Sequence, residues 1–336
     1  MAIKVLLTRS FFDNDIKYIS SKIKDGGEII VPESFDEETL IKYAADVNIF
    51  FGPVISKKLC EAAPNLLFIQ VPWTGIDNLN FELIKEIGVK VCNSHSNAYA
   101  VAEHAVAMML DAAKKLSYHD RNMRLGDWNR PKPNHENLIS PFSKRISNSN
   151  IGIIGYGHIG QLVKKYLSAF DCKFYVADIS ISTCKVEEET QFFPMSKVND
   201  VLSTSDFVFL CVPLTNETRR FWGKEKFHAM RNDSILINTS RGEIVDESAL
   251  YYALTNSEIA GASMDTWYNN PKNPYDVPVF PSKNFSFEKL DNLIMSPHRA
   301  AMIQGELPHL DDAILNINRT ILGMEPLNVV NVEKQF

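Results

Sequence analysis

The sequence predicts an α/β protein built from two doubly wound parallel-sheet domains. Three observations carry this expectation. A length of 336 residues exceeds what one ordinary core fills and suits two domains. Two separate series of short apolar runs alternate with helix-forming stretches, which is the rhythm of βαβ units. The runs of the second series are apolar almost throughout, as strands covered on both faces should be.

In the first series, strands are predicted at 3–7, 28–31, 47–51, 66–71 and 89–92. A long helix should follow over 98–116, because AYAVAEHAVAMMLDAAKKL is rich in helix formers and lacks Gly and Pro. The stretch 117–148 is polar and contains RPKPNHENLISP, so it reads as a looped connection. The second series opens at Asn150, with strands predicted at 151–154, 173–177, 207–212, 235–238, 259–264 and 293–295. A closing helix over 301–322 precedes the tail EPLNVVNVEKQF.

Composition narrows the function classes. Hydrophobic residues at 45% and charged residues at 23% describe a folded globular chain rather than a disordered one. A net charge of −6 argues against nucleic acid or an anionic membrane as a general partner. Cys60, Cys92, Cys172, Cys184 and Cys211 show no metal-like spacing, and this odd, scattered set reads as reduced thiols. The apolar run of MAIKVLLTRS is too short for a signal peptide, and no stretch reaches the length of a membrane span. A cytoplasmic protein without a metal is the expectation.

The segment NIGIIGYGHIGQLVKKYLSAF sets Gly155-x-Gly157-x-x-Gly160 between a predicted strand and a predicted helix. Gly155 permits the tight turn, Gly157 lets the backbone approach a pyrophosphate, and Gly160 allows close helix–strand packing. The pyrophosphate would then sit on the free N–H groups and positive end of the new helix. The next strand, KFYVAD, ends in Asp178, near the spacing expected for the acceptor of the adenosine ribose hydroxyls. Its charge would repel a 2′-phosphate, and Ile179 and Ser180 supply no cation, so NAD is favoured over NADP.

Further along, CVPLTNETR (211–219), INTSRGEIVDESAL (237–250), GASMDTW (261–267) and SPHRA (296–300) occur in order. With WTGIDNLN (73–80), NAYAVAEHAVAMML (97–110), the R-x-G-x-W pattern of 124–128 and PLNVVN, the chain resembles the D-isomer-specific 2-hydroxyacid dehydrogenases along nearly its whole length. The resemblance implies a flavodoxin-like substrate domain, 1–97 plus 299–336, interrupted by an NAD-binding Rossmann domain over 98–298. It also implies an active cleft between the domains, a small anionic substrate and a homodimer.

Matched residue by residue, the resemblance makes His298 the acid–base catalyst, a role suited to a group that titrates near neutrality. Arg241 would bind the substrate carboxylate and polarise the carbonyl oxygen. The backbone N–H groups of Thr74, Gly75 and Ile76 would hold the other carboxylate oxygen, unless the TG pair is simply a turn. His95, Trp73 and Arg299 would line the cleft, since they neighbour the matched motifs. Arg299 is either a second anion contact, which would suggest a substrate with two acidic groups, or a solvent-facing or interface arginine. For the cofactor, the match adds His158, Ile159, Val212, Pro213, Thr218, Thr239, Ser240 and Asp265, the last to receive the nicotinamide carboxamide, and each of these could equally serve packing or capping.

One position departs from the pattern. The family's glutamate partner of the histidine falls on Asn270, in DTWYNNP. An amide can orient an imidazole but does not stabilise imidazolium as a carboxylate does. Two alternatives therefore stand beside the 2-hydroxyacid reaction: oxidation of another small anion such as formate or phosphite, and a non-catalytic NAD-sensing protein, since the family includes corepressors.

Overall fold

The computed structural model describes residues 2–128, 143–271 and 277–336. Contacts divide the chain into unit 1, Met1–Asn97 with Met302–Phe336, and unit 2, Ala98–Ala301.

Unit 1 begins with β1 (Ile3–Leu7), α1 (Asp13–Lys22), β2 (Gly27–Ile30), α2 (Glu37–Ala44), β3 (Ile49–Phe51) and α3 (Lys57–Glu61). It continues through β4 (Phe68–Gln70), α4 (Phe81–Ile87) and β5 (Lys90–Cys92). These strands form one parallel sheet in the order β2-β1-β3-β4-β5, with its switch of direction between β1 and β3. Side chains alternate across the sheet. Leu6, Phe50, Ile69 and Val91 enter one core, while Val5, Leu7, Ile49, Phe51 and Phe68 enter the other. Asp36, Ser56 and Asn80 cap α2, α3 and α4 with side-chain oxygens, which satisfies backbone donors at each helix start.

In unit 2, α5 (Ala98–Lys114) breaks at Lys115, whose φ is +54°, and α6 (Leu116–Arg124) follows. The sequence expectation of one helix to 116 and loops from 117 thus differs from the structure, because Asp111 Oδ1 accepts the Ser117 N–H at 2.8 Å and restarts the chain in a new direction. Part of the expected connection, 129–142, lies outside the described residues, as do 272–276.

After β6 (Asn150–Ile154) come α7 (His158–Leu167), β7 (Lys173–Asp178), β8 (Lys185–Glu187), β9 (Thr190–Pro194), α8 (Val198–Thr204) and β10 (Phe207–Leu210). Then α9 (Lys224–Ala229), β11 (Ile235–Asn238), α10 (Glu247–Thr255), β12 (Gly261–Met264) and β13 (Leu293–Met295) complete the unit. The sheet order is β13-β12-β11-β10-β6-β7-β9-β8, parallel except for the β8–β9 pair. Two parallel-strand sheets of doubly wound type are therefore present, as the sequence predicts. The interior strands are wholly buried, and α5 packs Ala102, Ala105, Met109 and Ala113 into the core that holds Ile151, Ile153, Val163 and Leu167.

The last helix, α11 (Pro308–Ile321), returns to unit 1 and starts later than the expected 301. Proline at its first turn lacks the N–H that helix interiors need, so it suits the start and nothing earlier. Fully buried Asn316 on this helix donates to Gln70 Oε1 (2.8 Å) and accepts the Leu327 N–H (2.7 Å), which ties the C-terminal tail to β4.

Candidate active site

The glycine turn follows β6 and fits a dinucleotide on three counts. Gly155 has φ +94°, and a Cβ there would lie 2.7 Å from the Cys211 carbonyl oxygen just beyond β10. A Cβ on Gly160 would meet the Gly155 oxygen at 2.3 Å, so the helix sits directly against the turn. Gly157, in contrast, faces open space, and no side chain caps the N-terminus of α7, where His158 and Ile159 begin the helix. A helix start without a side-chain cap suits an anion.

Asp178 stands at the end of β7, one strand over. Its Oδ2 accepts the Tyr156 N–H of the glycine turn (2.7 Å), and its Oδ1 accepts the Ser180 N–H (2.8 Å) and hydroxyl (2.6 Å). These bonds fix the carboxylate, and Oδ2 keeps a lone pair for a ribose hydroxyl. A cavity of about 400 Å³ on this side is lined by Tyr156, Ser180, Lys185, Glu187 and Phe192 among others. Lys185, its lining cation, is paired with Glu187 at 2.7 Å, so the rim offers a 2′-phosphate no unneutralised charge. Beyond β10, Val212 packs over Gly155, and the Thr218 hydroxyl donates to the Pro213 carbonyl (2.6 Å), folding that loop on itself.

The chemistry-bearing residues of unit 2 gather at the C-terminal ends of three adjacent strands, where open α/β sheets bind ligands. Arg241 follows β11, Asp265 follows β12 and His298 follows β13. Buried Asn238 clamps the first loop: its amide donates to the Arg241 carbonyl (2.9 Å) and its oxygen accepts the Ser240 N–H (3.0 Å). Thr239 and Ser240 are half-buried, and the Ser240 hydroxyl donates to Leu210 O at 2.8 Å. Arg241 is half-buried, with one Nη on the Ser240 carbonyl at 2.9 Å.

His298 is exposed and holds φ +56°, a left-handed conformation that costs a non-glycine residue roughly 1–2 kcal/mol. Asp265 is what keeps it there. The His298 N–H donates to the Asp265 carbonyl (2.8 Å), while the wholly buried carboxylate takes the next two N–H groups, Arg299 on Oδ1 (2.8 Å) and Ala300 on Oδ2 (3.1 Å). The Ser296 hydroxyl donates to the same Oδ1 at 2.6 Å, and His104 on α5 brings Nε2 to 3.0 Å from that hydroxyl oxygen. With the Ser296 proton committed to Asp265, its oxygen is left to accept from Nε2–H. Trp267 Nε1 donates to the Ser296 carbonyl (2.8 Å), closing the turn from the other side.

Sequence reasoning left Ser296, His104 and Asn238 without roles. Ser296 and His104 lie inside the matched motifs, but nothing in a linear pattern tells which carboxylate they serve. Asn270 is exposed, and its amide nitrogen donates to Trp267 O at 3.4 Å, back into its own turn.

In unit 1, the loop after β4 carries Thr74, Gly75 and Ile76. Asn93 donates to the Thr74 carbonyl (2.9 Å), and the Thr74 hydroxyl donates to Ser94 O (2.8 Å), which fixes the loop. The backbone N–H groups of all three residues take no partner among the described residues. Such orphan donors are uncommon in a rigid loop and suit a carboxylate oxygen. His95, half-buried nearby in the chain, has its N–H bound to Asp312 Oδ2 at 2.7 Å.

Comparison with known proteins identifies the family. Residues 106–300 match the family profile described as D-isomer specific 2-hydroxyacid dehydrogenase, NAD binding domain. A D-3-phosphoglycerate dehydrogenase of Archaeoglobus fulgidus is 31% identical over 336 residues, covering 98% of this chain and 57% of that protein. A similar enzyme of Methanocaldococcus jannaschii is 28% identical, and this chain spans 60% of it, so the chain reaches well under two thirds of the length of these curated relatives. A glyoxylate reductase of Thermofilum pendens is 30% identical over 322 residues, with 93% and 91% of the two chains covered. Among solved structures, D-lactate dehydrogenase with NAD+ from Lactobacillus jensenii superposes with a TM-score of 0.75 at 28% identity, covering 98% of this chain and all of that one. A strand-ordered glycine turn, a fixed acidic partner and a clamped histidine thus meet a profile that spans more than half the sequence, and the chain belongs to the D-isomer-specific 2-hydroxyacid dehydrogenase family.

Proposed function

We propose that this chain interconverts a small 2-keto acid and its D-2-hydroxy acid with NAD(H). Bound nicotinamide supplies the hydride for reduction and takes it up in oxidation. The observation that carries the reading is the buried Asp265 clamp, which maintains His298 in a strained backbone conformation at the edge of the sheet. Strain of this kind persists where the surroundings over-determine it, typically at working sites. His298 donates the proton to the carbonyl oxygen in reduction and recovers it in oxidation. Arg241 takes one carboxylate oxygen and stabilises negative charge on the reacting oxygen. In unit 1, the N–H groups of Thr74, Gly75 and Ile76 bind carboxylate oxygen and His95 contacts substrate; in unit 2, Arg299 offers a further anion contact and Asn270 orients the imidazole as an amide.

Following NADH absorbance with glyoxylate, pyruvate and hydroxypyruvate tests this directly. Turnover abolished in His298→Ala is expected; turnover of formate or phosphite alone would move the assignment to the other small anions. Cofactor binding without turnover of any of them would favour the sensing role. A homodimer is proposed too, since Leu116, Leu125 and Trp128 leave α6 and its exit with exposed apolar surface; a single monomeric species in sedimentation would refute it. The five free cysteines suit a reducing cytoplasm, which fractionation of the source cells would check.

A further inference from the structure

The sheet of unit 1 reverses its winding between β1 and β3, and ligands of open α/β sheets gather outside the C-terminal strand ends at such a point. Thr8 and Arg9 leave β1 there, and Gly52 leaves β3. Three features at this edge have no part in the site described above. Arg9 is exposed, and its Nε donates to Ser10 O (3.1 Å), while its two Nη groups take no partner and no ion pair includes it among the described residues. Its guanidinium lies 5.0 Å from the Trp73 ring and 5.7 Å from the Phe11 ring, so stacking sets its position without neutralising its charge. The Thr8 hydroxyl is buried with no hydrogen-bond partner.

Gly52 makes room for this pair. Its φ is +136°, and a Cβ there would stand 2.6 Å from Thr8 Oγ1 and 3.2 Å from Arg9 Cγ. Trp73, the residue on which Arg9 stacks, immediately precedes the Thr74–Gly75–Ile76 loop with its three unpartnered N–H groups. A free, aromatic-braced cation beside a backbone carboxylate cradle recognises a molecule with two anionic ends.

We propose that Arg9 is the specificity-determining residue for a 2-keto acid bearing a second anionic group, a carboxylate or a phosphate ester, whose distal end it takes in a forked contact. This rests on the dehydrogenase reading above and adds the substrate class to it. The planar fork of guanidinium matches two oxygens of either group.

The test compares kcat/KM for oxaloacetate against 2-ketobutyrate, and for phosphohydroxypyruvate against hydroxypyruvate, in wild type, Arg9→Met and Arg9→Lys. Wild type should prefer the dianion in at least one pair, and the pair showing it identifies carboxylate or phosphate. In Arg9→Met, that preference should fall about 10- to 100-fold, mostly through KM, the loss expected for a charged hydrogen-bonded contact. Arg9→Lys should recover part of it. A wild type with no preference for either dianion overturns the proposal, as does a variant that loses both members of a pair equally. Should no keto acid be reduced, the dehydrogenase reading fails, and calorimetry decides Arg9 separately. Succinate heat in the NADH-loaded protein that disappears in Arg9→Met upholds it, and equal heats overturn it.

Discussion

Replacing Asp265 with Asn separates two roles that sequence alone merges. If the carboxylate's task is to receive the nicotinamide carboxamide, the substitution weakens cofactor binding and leaves the fold intact. The geometry points elsewhere, since both oxygens are engaged by Ser296, Arg299 and Ala300. Demoting three charge-assisted bonds to neutral ones costs about 1 kcal/mol each, hence about 3 kcal/mol. The new amide also turns a donor toward a backbone N–H. For a unit of roughly this size, about 3 kcal/mol lowers Tm by roughly 6–12 °C. With the clamp loosened, His298 relaxes from φ +56°, and kcat should fall at least about 100-fold, because misplacing a catalytic group by about 1 Å has that effect. The glycine turn is untouched, so NADH should still quench protein fluorescence with a Kd within about threefold of wild type. Calorimetric melting, fluorescence titration and steady-state kinetics on one preparation decide the matter. An unchanged Tm accompanied by a large loss of NADH affinity would refute the clamp.

Gly155→Ala should abolish cofactor binding and lower Tm, because its Cβ would meet the Cys211 carbonyl at 2.7 Å on a backbone of φ +94°; retained binding by fluorescence would contradict the turn described. Asn270→Glu should move the pH profile of kcat/KM upward, since an anion beside His298 favours imidazolium, and a profile displaced by one pH unit corresponds to about 1.4 kcal/mol; a superimposable profile would show that residue 270 does not act on the histidine. Burial holds the His309 imidazole below its ordinary 6.5, against the opposing pull of Asp15 and Asp311. The unfolded chain therefore takes up its proton first on acidification, so the contribution of this residue is present above about pH 6.5 and is lost as pH falls through the lower folded value. Urea midpoints at pH 7.5 and 5.5 should draw closer together in His309→Gln, and an unaltered difference would exclude this residue as a source of acid sensitivity.

Much of the architecture is legible in the chain because buried parallel strands need apolar runs. The expected strands at 3–7, 235–238 and 293–295 coincide with β1, β11 and β13, and the glycine turn falls between β6 and α7. Strands β8 and β9 went unanticipated for the converse reason. Lys185–Glu187 is fully exposed at the sheet edge, and Thr190–Pro194 is half polar and ends in proline, so neither presents an apolar run. The break at Lys115 was equally silent, since it depends on a bond from Asp111 to a residue six positions on rather than on a glycine or proline. In the candidate site, motifs named residues but not the bonds that connect them. The engagement of the Asp265 carboxylate by the turn around His298 arises only once β12 and β13 lie side by side.

That β11, β12 and β13 are consecutive neighbours has a metric consequence. Strands repeat every 4.8 Å or so across a sheet, so the backbone anchors behind Arg241 and His298 stand on rails about 10 Å apart, with Asp265 on the rail between. Backbone hydrogen bonding sets this gauge, and neither flanking loop can alter it by lengthening or shortening. Changes elsewhere in the chain can reshape the loops beyond these strands while the spacing between the strands that carry residues 241 and 298 stays the same.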